Sequence, residues 1–411
     1  MEEIKEITER VILVAVSTGN EEDTQQSLEE LAELLRTAGG LVAGQLVQNR
    51  EAVHPGTYIG KGKIEELKNF IQMTDATGIL CDDELSPAQM NNLERELDVK
   101  VMDRTLLILD IFAQRAVTAE GKIQVELAQL RYRSSRLVGL RASLSRLGGG
   151  IGTRGPGEKK LEMDRRLIRN RISALKEELA QVERHREVLR GGRERENRKT
   201  AAIVGYTNAG KSTLLNTLTG ADVLSEDKLF ATLDPTTRLL ELPDGQQLLL
   251  TDTVGFIRKL PHHLVEAFKS TLEEARYADY ILHVADAGNP AVDMQMHIVY
   301  QTLKELNALD KPIITLFNKQ DLHPEENLRD LRSDYSLRIS ARTGEGLPEL
   351  LQLLQKLLSE NLIYIERVLS YSEGGILQQI REKGQLLTEE YAGDGIHITA
   401  RVPRDLYGRM P

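Results

Sequence analysis

The sequence has little of what secreted and membrane proteins rely on. Its 411 residues include no tryptophan and a single cysteine, Cys81. Because there is only one cysteine, no internal disulfide can form, and a reducing cytoplasm is expected. Apolar neighbours at Ile79 and Leu80 predict that this thiol is buried and structural. Apolar runs such as residues 11–16 are strand-sized, and the charged first six residues lack a secretory signal. We therefore expect a cytoplasmic protein with no membrane span.

Acidic residues are in excess and aromatic residues are scarce. The net charge of −10 argues against a general affinity for nucleic acid. The stretch from Arg131 to Arg171 departs from this average, because it holds twelve basic and three acidic side chains. Tyr132 is its only aromatic residue, which favours recognition of the backbone and shape of folded RNA over base stacking. A solvated charged face is the alternative interpretation.

Hydrophobic periodicity divides the chain into four parts. Residues 10–117 alternate strand-like and helix-like segments, which predicts a small α/β domain with a mainly parallel sheet. Two amphipathic helical patterns within residues 119–190 flank the glycine-rich residues 147–157, which predicts an antiparallel helical hairpin with a mobile tip. A charged, glycine-broken linker is expected after residue 190. The expected domains are an N-terminal α/β domain (1–118), the hairpin with its basic tip and linker (119–198), a nucleotide-binding α/β domain (199–363) and a small α+β appendage (364–411).

One motif dominates the nucleotide-binding domain. The segment Gly205-Tyr-Thr-Asn-Ala-Gly-Lys-Ser-Thr213 follows an apolar strand-like run and precedes leucines at helical spacing. Strand, glycine loop and helix in this order predict a phosphate-binding loop (P-loop). The glycines let backbone N–H groups approach phosphate oxygens. Lys211 is expected to reach the β- and γ-phosphates, and the Ser212 hydroxyl to hold Mg²⁺.

Three further motifs occur downstream, each after a predicted strand. Asp252-Thr-Val-Gly255 supplies an acid for Mg²⁺ through water and an N–H for the γ-phosphate. In Asn318-Lys-Gln-Asp321, the Asp321 carboxylate can accept two N–H donors from guanine, which selects GTP over ATP. The backbone of Ser340-Ala-Arg342 can contact guanine O6. The set predicts a P-loop GTPase domain, and it disfavours a small-molecule kinase, for which no acceptor site is evident.

The motifs and their flanks resemble the HflX family of GTPases. The resemblance rests on residues 230–238, 252–258 and 148–158 and spans most of the chain. It implies binding to the large (50S) ribosomal subunit and its rRNA, with the glycine-rich tip near the peptidyl-transferase region. It also implies splitting or rescue of stalled ribosomes under stress, with GTP hydrolysis stimulated by the ribosome. Some members also use ATP at the N-terminal domain. Thr232, in the switch I segment, is expected by resemblance to complete the coordination of Mg²⁺.

The resulting assignments fall into four groups. The nucleotide-binding set is Gly205, Tyr206, Thr207, Asn208, Ala209, Gly210, Lys211, Ser212, Thr213, Phe230, Ala231, Thr232, Leu233, Asp234, Asp252, Thr253, Val254, Gly255, Asn318, Lys319, Gln320, Asp321, Ser340, Ala341 and Arg342. The catalytic set is Lys211, Thr232, Gly255 and Asn208, and the Mg²⁺ set is Ser212, Thr232 and, through water, Asp252. The RNA-binding set is Arg146, Gly149, Gly150, Arg154, Lys159, Lys160, Arg165 and Arg166.

Several alternatives stay open at this level. Phe256 stands where many GTPases place a glutamine that orients water, which predicts slow intrinsic hydrolysis. Asn208 either holds K⁺ near the β/γ bridge or braces the loop. The segment Gly60-Lys-Gly-Lys63 opens a predicted helix and either holds phosphate or forms a solvated turn, with the turn favoured. The competing function is an RNA-binding ribosome-assembly or chaperone factor in which nucleotide only sets the conformation.

Overall fold

The computed structural model describes residues 9–144, 156–195, 199–221, 228–260, 269–323, 328–360, 362–408 and 410. The chain forms two compact units. The first unit consists of Met1–Glu183, Glu226–Asp234 and Ile257–Ser270. The second consists of Arg184–Ser225, Pro235–Phe256 and Thr271–Pro411. In the part of the chain that is described, no helix has both the length and the apolarity to cross a bilayer.

The first unit begins with four strands that alternate with helices. Its elements are β1 (Arg10–Ser17), α1 (Glu21–Thr37), β2 (Leu41–Asn49), α2 (Lys61–Thr74), β3 (Gly78–Cys81), α3 (Pro87–Leu97), β4 (Lys100–Asp103) and α4 (Arg104–Arg115). The strands pair in parallel in the order β2-β1-β3-β4. Because β1 and β3 lie inside the sheet and helices cover it, both strands are apolar and almost wholly buried. The expected parallel α/β domain is confirmed.

The single cysteine lies on an inner strand of this sheet. Cys81 ends β3 and has no exposed surface. Burial, with the nearby carboxylates Asp103 and Asp83, raises the pKa of its thiol well above the usual value. The prediction of a buried structural thiol is confirmed.

Two long helices follow, α5 (Ala119–Leu144) and α6 (Pro156–Arg195). The Arg171 guanidinium on α6 donates Nε to Glu126 Oε1 on α5 at 2.7 Å and its Nη2 to Oε2 at 2.8 Å. The prediction of a break at Gly191 and Gly192 was wrong, because α6 continues to Arg195. A glycine costs a helix only about 1 kcal/mol relative to alanine, and strong helix formers flank this pair. The tip, residues 145–155, lies outside the described residues.

A buried carboxylate joins α5 to the sheet of the first unit. Asp103 ends β4 and accepts hydrogen bonds from Tyr132 Oη at 2.8 Å and Arg136 Nη2 at 2.6 Å, both on α5. It also accepts from the backbone N–H of Leu106 at 2.9 Å, which caps α4, and from that of Leu85 at 3.1 Å. One side chain therefore fixes two helices and a loop.

The second unit is built on a six-stranded sheet in the order β10-β9-β8-β5-β7-β6. Its elements are β5 (Lys199–Gly205), α7 (Lys211–Thr219), β6 (Thr236–Glu241), β7 (Gln247–Asp252), α8 (Lys269–Tyr277), β8 (Tyr280–Asp286), α9 (Val292–Glu305), β9 (Ile313–Asn318), β10 (Tyr335–Arg338) and α10 (Leu347–Glu360). All neighbours pair in parallel except the edge strand β6, which is antiparallel to β7. The carboxyl ends of the parallel strands meet at one edge, where ligands of such sheets bind.

The carboxyl-terminal part of the second unit is a small antiparallel sheet in the order β11-β13-β12. Its elements are β11 (Leu362–Leu369), a short 3₁₀ helix (Tyr371–Glu373), α11 (Gly374–Lys383), β12 (Gln385–Ala392), β13 (Gly395–Pro403) and α12 (Arg404–Tyr407). Alternate residues of β13, among them Ile396, Ile398 and Val402, form its core with Ile380 of α11. The expected α+β appendage is confirmed.

Candidate nucleotide site

The loop between β5 and α7 requires glycine at both ends. Gly205 has φ +156° and Gly210 has φ +96°, conformations that side chains rarely adopt. A Cβ at Gly205 would overlap the carbonyl oxygen of Val284, and one at Gly210 would overlap Nδ2 of Asn318. Gly210 is also the N-cap residue of α7, so the loop delivers its N–H groups to the start of that helix. This is the geometry of an anion-binding loop.

Lys211 lies under this loop rather than in solvent. Its side chain is buried, and Nζ donates a hydrogen bond to the carbonyl oxygen of Tyr206 at 2.8 Å. Burial lowers the pKa of Lys211 to about 8, against the opposing attraction of Asp252. A partly desolvated ammonium group gains from an anion brought beside it, which suits a lysine that binds phosphate.

Ser212 and Asp252 form a pair of oxygen ligands. The parallel pairing of β5 and β7 places Ile203 opposite Asp252, which ends β7. The Ser212 hydroxyl donates to Asp252 Oδ2 at 2.6 Å, and Asp252 has no exposed surface. Thr253 Oγ1 donates to the Ile203 carbonyl at 2.8 Å and holds the strand end in place. A hydroxyl and a carboxylate are hard oxygen donors, so this pair fits Mg²⁺.

The residues after Asp252 pack directly on the P-loop. Phe256 N donates to the Gly205 carbonyl at 3.1 Å, and Thr207 N donates to the Phe256 carbonyl at 2.8 Å. Between them, Gly255 approaches so closely that a Cβ would lie 2.7 Å from Thr207 Cα and 3.0 Å from Lys211 Nζ. The phenyl ring of Phe256 is buried and has no atom that could orient a water molecule.

Asn318 joins the P-loop to the loops that are expected to bind guanine. Its Nδ2 donates to the Ala209 carbonyl at 2.8 Å, and its Oδ1 accepts from Ala341 N at 2.8 Å. Ser340 Oγ donates to Asp321 Oδ1 at 2.7 Å, which orients the exposed carboxylate. Residues 205–213, 252–255, 318–321 and 340–342 therefore lie together at one end of the sheet in the second unit.

Asp286 was not among the sequence-predicted site residues, although it lies beside one of them. Asp286 ends β8, and its Oδ2 lies 2.7 Å from Nζ of Lys319. Lys319 has φ +66°, so this ion pair holds a residue with a constrained backbone. An acid at the end of a buried strand, the signal that identified Asp252, would also have identified Asp286.

The switch I segment, described for residues 228–234, belongs to the first unit. Phe230 and Leu233 are buried, whereas Ala231 and Thr232 are half-buried. The Asp234 carboxylate accepts hydrogen bonds from the backbone of Val117 and Thr118.

The proposed RNA-binding residues are described only in part. Arg146, Gly149, Gly150 and Arg154 lie outside the described residues, and Lys159 and Lys160 lie in the first turns of α6. Further along α6, Arg165 is half-buried and Arg166 is exposed.

Two arginines of the basic stretch have partners within the first unit. Arg136 binds Asp103 and covers the ring of Tyr132, with Cζ 3.2 Å from the ring centroid. Arg171 pairs with Glu126. Both side chains are therefore paired within the unit, although Arg171 and Glu126 are still exposed to solvent.

The segment at Gly60 forms the start of α2. Gly60 is its N-cap residue, and the Gly60 N–H donates to Gln48 Oε1 at 2.8 Å. Nζ of Lys63 lies 2.8 Å from the Glu66 carboxylate.

Three family models match the chain in succession. They are described as GTP-binding GTPase N-terminal (residues 25–113), GTP-binding GTPase middle region (residues 115–193) and 50S ribosome-binding GTPase (residues 200–319). The P-loop, Asp252, Gly255 and Asn318 fall within the third match.

Named relatives match over nearly the whole length. The GTPase HflX of Lacrimispora saccharolytica is 68% identical over 99% of this chain and 97% of its own. That of Caldanaerobacter subterraneus subsp. tengcongensis is 50% identical over 100% of this chain and 95% of its own. A crystal structure of a GTP-binding protein from Sulfolobus solfataricus in complex with GDP has a TM-score of 0.45 at 25% identity, over 85% of this chain and 99% of that one. By its sequence similarity to the two HflX relatives, the chain belongs to the HflX family of GTPases, which hydrolyse GTP to GDP and phosphate.

Proposed function

We propose that this GTPase binds the large ribosomal subunit and its rRNA and splits or rescues stalled ribosomes under stress. The observation that carries the proposal is the linkage through Asn318, which ties the P-loop at Ala209 to the loop at Ala341. A single guanine nucleotide can therefore span Lys211 and Asp321. The match of residues 200–319 to a 50S ribosome-binding GTPase model supports the choice of partner.

Nucleotide recognition is assigned to named atoms of the second unit. The N–H groups of residues 206–213 surround the β-phosphate, and Lys211 Nζ exchanges its bond to the Tyr206 carbonyl for phosphate oxygens. The Gly255 N–H donates to the γ-phosphate. The Asp321 carboxylate accepts from the guanine edge, and Ser340 holds it in position. ATP lacks the matching donors and is rejected at this site.

The same geometry supports magnesium binding. Ser212 would bind the ion directly, Asp252 would bind it through water, and Thr232 of switch I would complete the set. The ion supplies charge neutralisation at the β- and γ-phosphate oxygens. Thr232 is the member of this set that can respond to the γ-phosphate, because it belongs to a loop rather than to the P-loop or a strand end.

Intrinsic hydrolysis is expected to be slow. Phe256 cannot orient the attacking water, so a further group must complete the site. The ribosome is one source of that group, and K⁺ held by Asn208 is another. Equal rates of GTP hydrolysis in KCl and NaCl would exclude the K⁺ alternative and leave Asn208 as a brace for the loop.

The basic stretch is assigned to rRNA. Arg165 and Arg166 on α6, with Lys159 and Lys160 before them, carry positive charge towards the glycine-rich residues 147–157. Arginine binds phosphate in two-pronged geometry, so the stretch suits the backbone of folded RNA. We also propose that the chain has the four domains expected from its sequence and that the N-terminal domain uses ATP, as the family resemblance implies.

Cosedimentation with ribosomal subunits tests the proposal. The large subunit should pellet the protein with a non-hydrolysable GTP analogue and release it with GDP. Lys211→Ala should abolish this difference, whereas Lys356→Ala, which changes an exposed lysine on α10, should preserve it. Binding that is equal in both nucleotides would contradict the proposal.

Subunit dissociation separates the two candidate functions. A splitting factor should dissociate 70S ribosomes with GTP, and Lys211→Ala should fail to do so. If both proteins bind the large subunit and neither dissociates ribosomes, the assembly or chaperone function is the better explanation.

A further inference from the structure

Switch I is fastened to the start of the helical hairpin. The carboxylate of Asp234, at the end of the segment, accepts hydrogen bonds from the backbone N–H groups of Val117 and Thr118, both at 2.9 Å. Its Oδ1 accepts a third from Thr118 Oγ1 at 2.5 Å. Thr118 is the residue before α5, and its Oγ1 accepts from Gly121 N at 2.9 Å. Asp234 thus binds the N-terminal end of α5 through three donors of the first unit.

Gly121 makes this approach possible. A Cβ at Gly121 would overlap Asp234 Oδ1. The position is inside α5, where alanine would normally stabilise the helix. A glycine that weakens the helix and leaves room for one carboxylate is a second, independent sign that the place of Asp234 matters.

The other end of the segment is also anchored. The Phe230 ring packs edge-on against the Phe112 ring of α4, with centroids 4.7 Å apart, and both rings are almost fully buried. Phe230 has φ +55°, a conformation that a bulky residue adopts only when its surroundings impose it. Thr232 therefore lies midway between two fixed points, Phe230 and Asp234.

We propose that Asp234 is a positioning residue for GTP hydrolysis. By binding the start of α5, it sets the path of switch I and hence the place from which Thr232 reaches Mg²⁺. This inference rests on the proposed assignment of Thr232 to the metal ion. Asp234, which the sequence motif placed among the nucleotide-binding residues, would then act through Thr232 and touch neither nucleotide nor metal, because its carboxylate is bound to Val117 and Thr118. The alternative is that Asp234 only stabilises the first turn of α5.

Three variants of the full-length chain test the inference. Asp234→Ala removes the carboxylate, and Gly121→Ala displaces it while introducing a better helix former. Both should lower kcat for GTP hydrolysis about tenfold or more, because small displacements of catalytic groups are costly, and both should raise the Mg²⁺ concentration for half-maximal activity. Affinity for GDP should stay within about twofold. Asp244→Ala is the matched control, since Asp244 also binds backbone and side-chain N–H groups but at a turn between β6 and β7.

The combined variants separate positioning from stability. If Asp234 acts through Thr232, Asp234→Ala should not further raise the Mg²⁺ requirement of a Thr232→Ala protein. Gly121→Ala should likewise cause no further loss of kcat in the Asp234→Ala protein, although it should raise the melting temperature of that protein. Additive effects, or a fall in kcat matched by Asp244→Ala, would show a structural role and overturn the inference.

The failure of the inference can be distinguished from that of the proposed function. If Thr232→Ala leaves the Mg²⁺ requirement unchanged, the proposed metal assignment is wrong and the inference falls with it. If Thr232→Ala raises the requirement and Asp234→Ala does not, the inference alone is wrong. Ribosome binding is not needed for either measurement.

Discussion

Lys211 shows how one buried charge can make nucleotide binding depend on pH. Phosphate binding requires the ammonium form, and burial lowers its pKa to about 8. A bound phosphate favours that form, so binding above this pH takes up a proton. Affinity should therefore be constant at low pH and weaken as the pH passes the pKa of the free protein.

We expect the Kd for GDP to rise about fourfold between roughly pH 7 and pH 8.5, as the pKa of Lys211 implies. Isothermal titration in two buffers of different ionisation enthalpy should show proton uptake at the higher pH. Lys211→Met, which binds more weakly, should lose the pH dependence. A Kd that is unchanged over this range in the original chain would contradict the prediction.

His283 is expected to make the fold sensitive to acid. It is buried on β8 beside Asp330 and Thr315, and burial lowers its pKa to about 4 from the usual value of 6.5. The unfolded chain therefore binds a proton in this window that the folded chain does not, so stability falls as the pH decreases.

The free energy of unfolding should decrease by up to about 3 kcal/mol between pH 6.5 and pH 4 through His283 alone. His283→Asn cannot titrate, so its stability should change less over the same interval. Urea denaturation followed by circular dichroism at several pH values measures the difference. Parallel pH profiles for the two proteins would refute the role of His283.

At the scale of elements, Asp103 connects β4, α4 and α5. Asp103→Ala removes the acceptor of Arg136 Nη2 and of three further donors at a site with no exposed surface. Breaking a buried ion pair from one side costs about 3–5 kcal/mol. We expect a loss of stability in this range for the first unit, measured by urea denaturation.

Tyr132→Phe is the matched control, because it deletes only one of the four hydrogen bonds to Asp103. Its expected cost is about 1 kcal/mol. If the two variants lose equal stability, the carboxylate is not the common anchor of these elements.

Local sequence determines the boundaries of some helices and strands. The bounds of α3 follow from a capping box, in which Ser86 and Gln89 bind each other's backbone N–H groups, and from Pro87 at its first position. β1 and β3 are continuous apolar runs, as strands buried on both faces require. Local sequence does not predict β4, β11 and β12, because each is short or half-exposed, with charged residues that carry no clear alternation.

Local sequence likewise identifies some residues of the nucleotide site and not others. The P-loop, Asp252 and Asp321 are recognisable because motif chemistry is local. The partners of Asn318 and Asp234 are not, because their hydrogen bonds join residues 109 and 116 positions apart. Such contacts depend on the tertiary fold, and no local pattern encodes them.

For the whole molecule, ribosome binding should depend on salt in proportion to the phosphates contacted. Arg165→Ala with Arg166→Ala should weaken binding to the large subunit and reduce the slope of log K against log salt by about one for each phosphate that is no longer neutralised. Arg381→Ala removes an exposed arginine paired with Glu389 in the small antiparallel sheet, and should leave the slope unchanged. Equal slopes for all three proteins would exclude Arg165 and Arg166 from the RNA interface.

The place of Cys81 has a consequence for conditions in which oxidants accumulate. Thiolates attack peroxides and disulfides as nucleophiles, and this sulfur is both screened from such oxidants and held in its unreactive protonated form. Nothing in the chain's thiol chemistry can then switch it off or cross-link it to a neighbour. We therefore expect thiol oxidants to leave GTP hydrolysis by this chain unchanged at concentrations that inactivate enzymes with exposed cysteines.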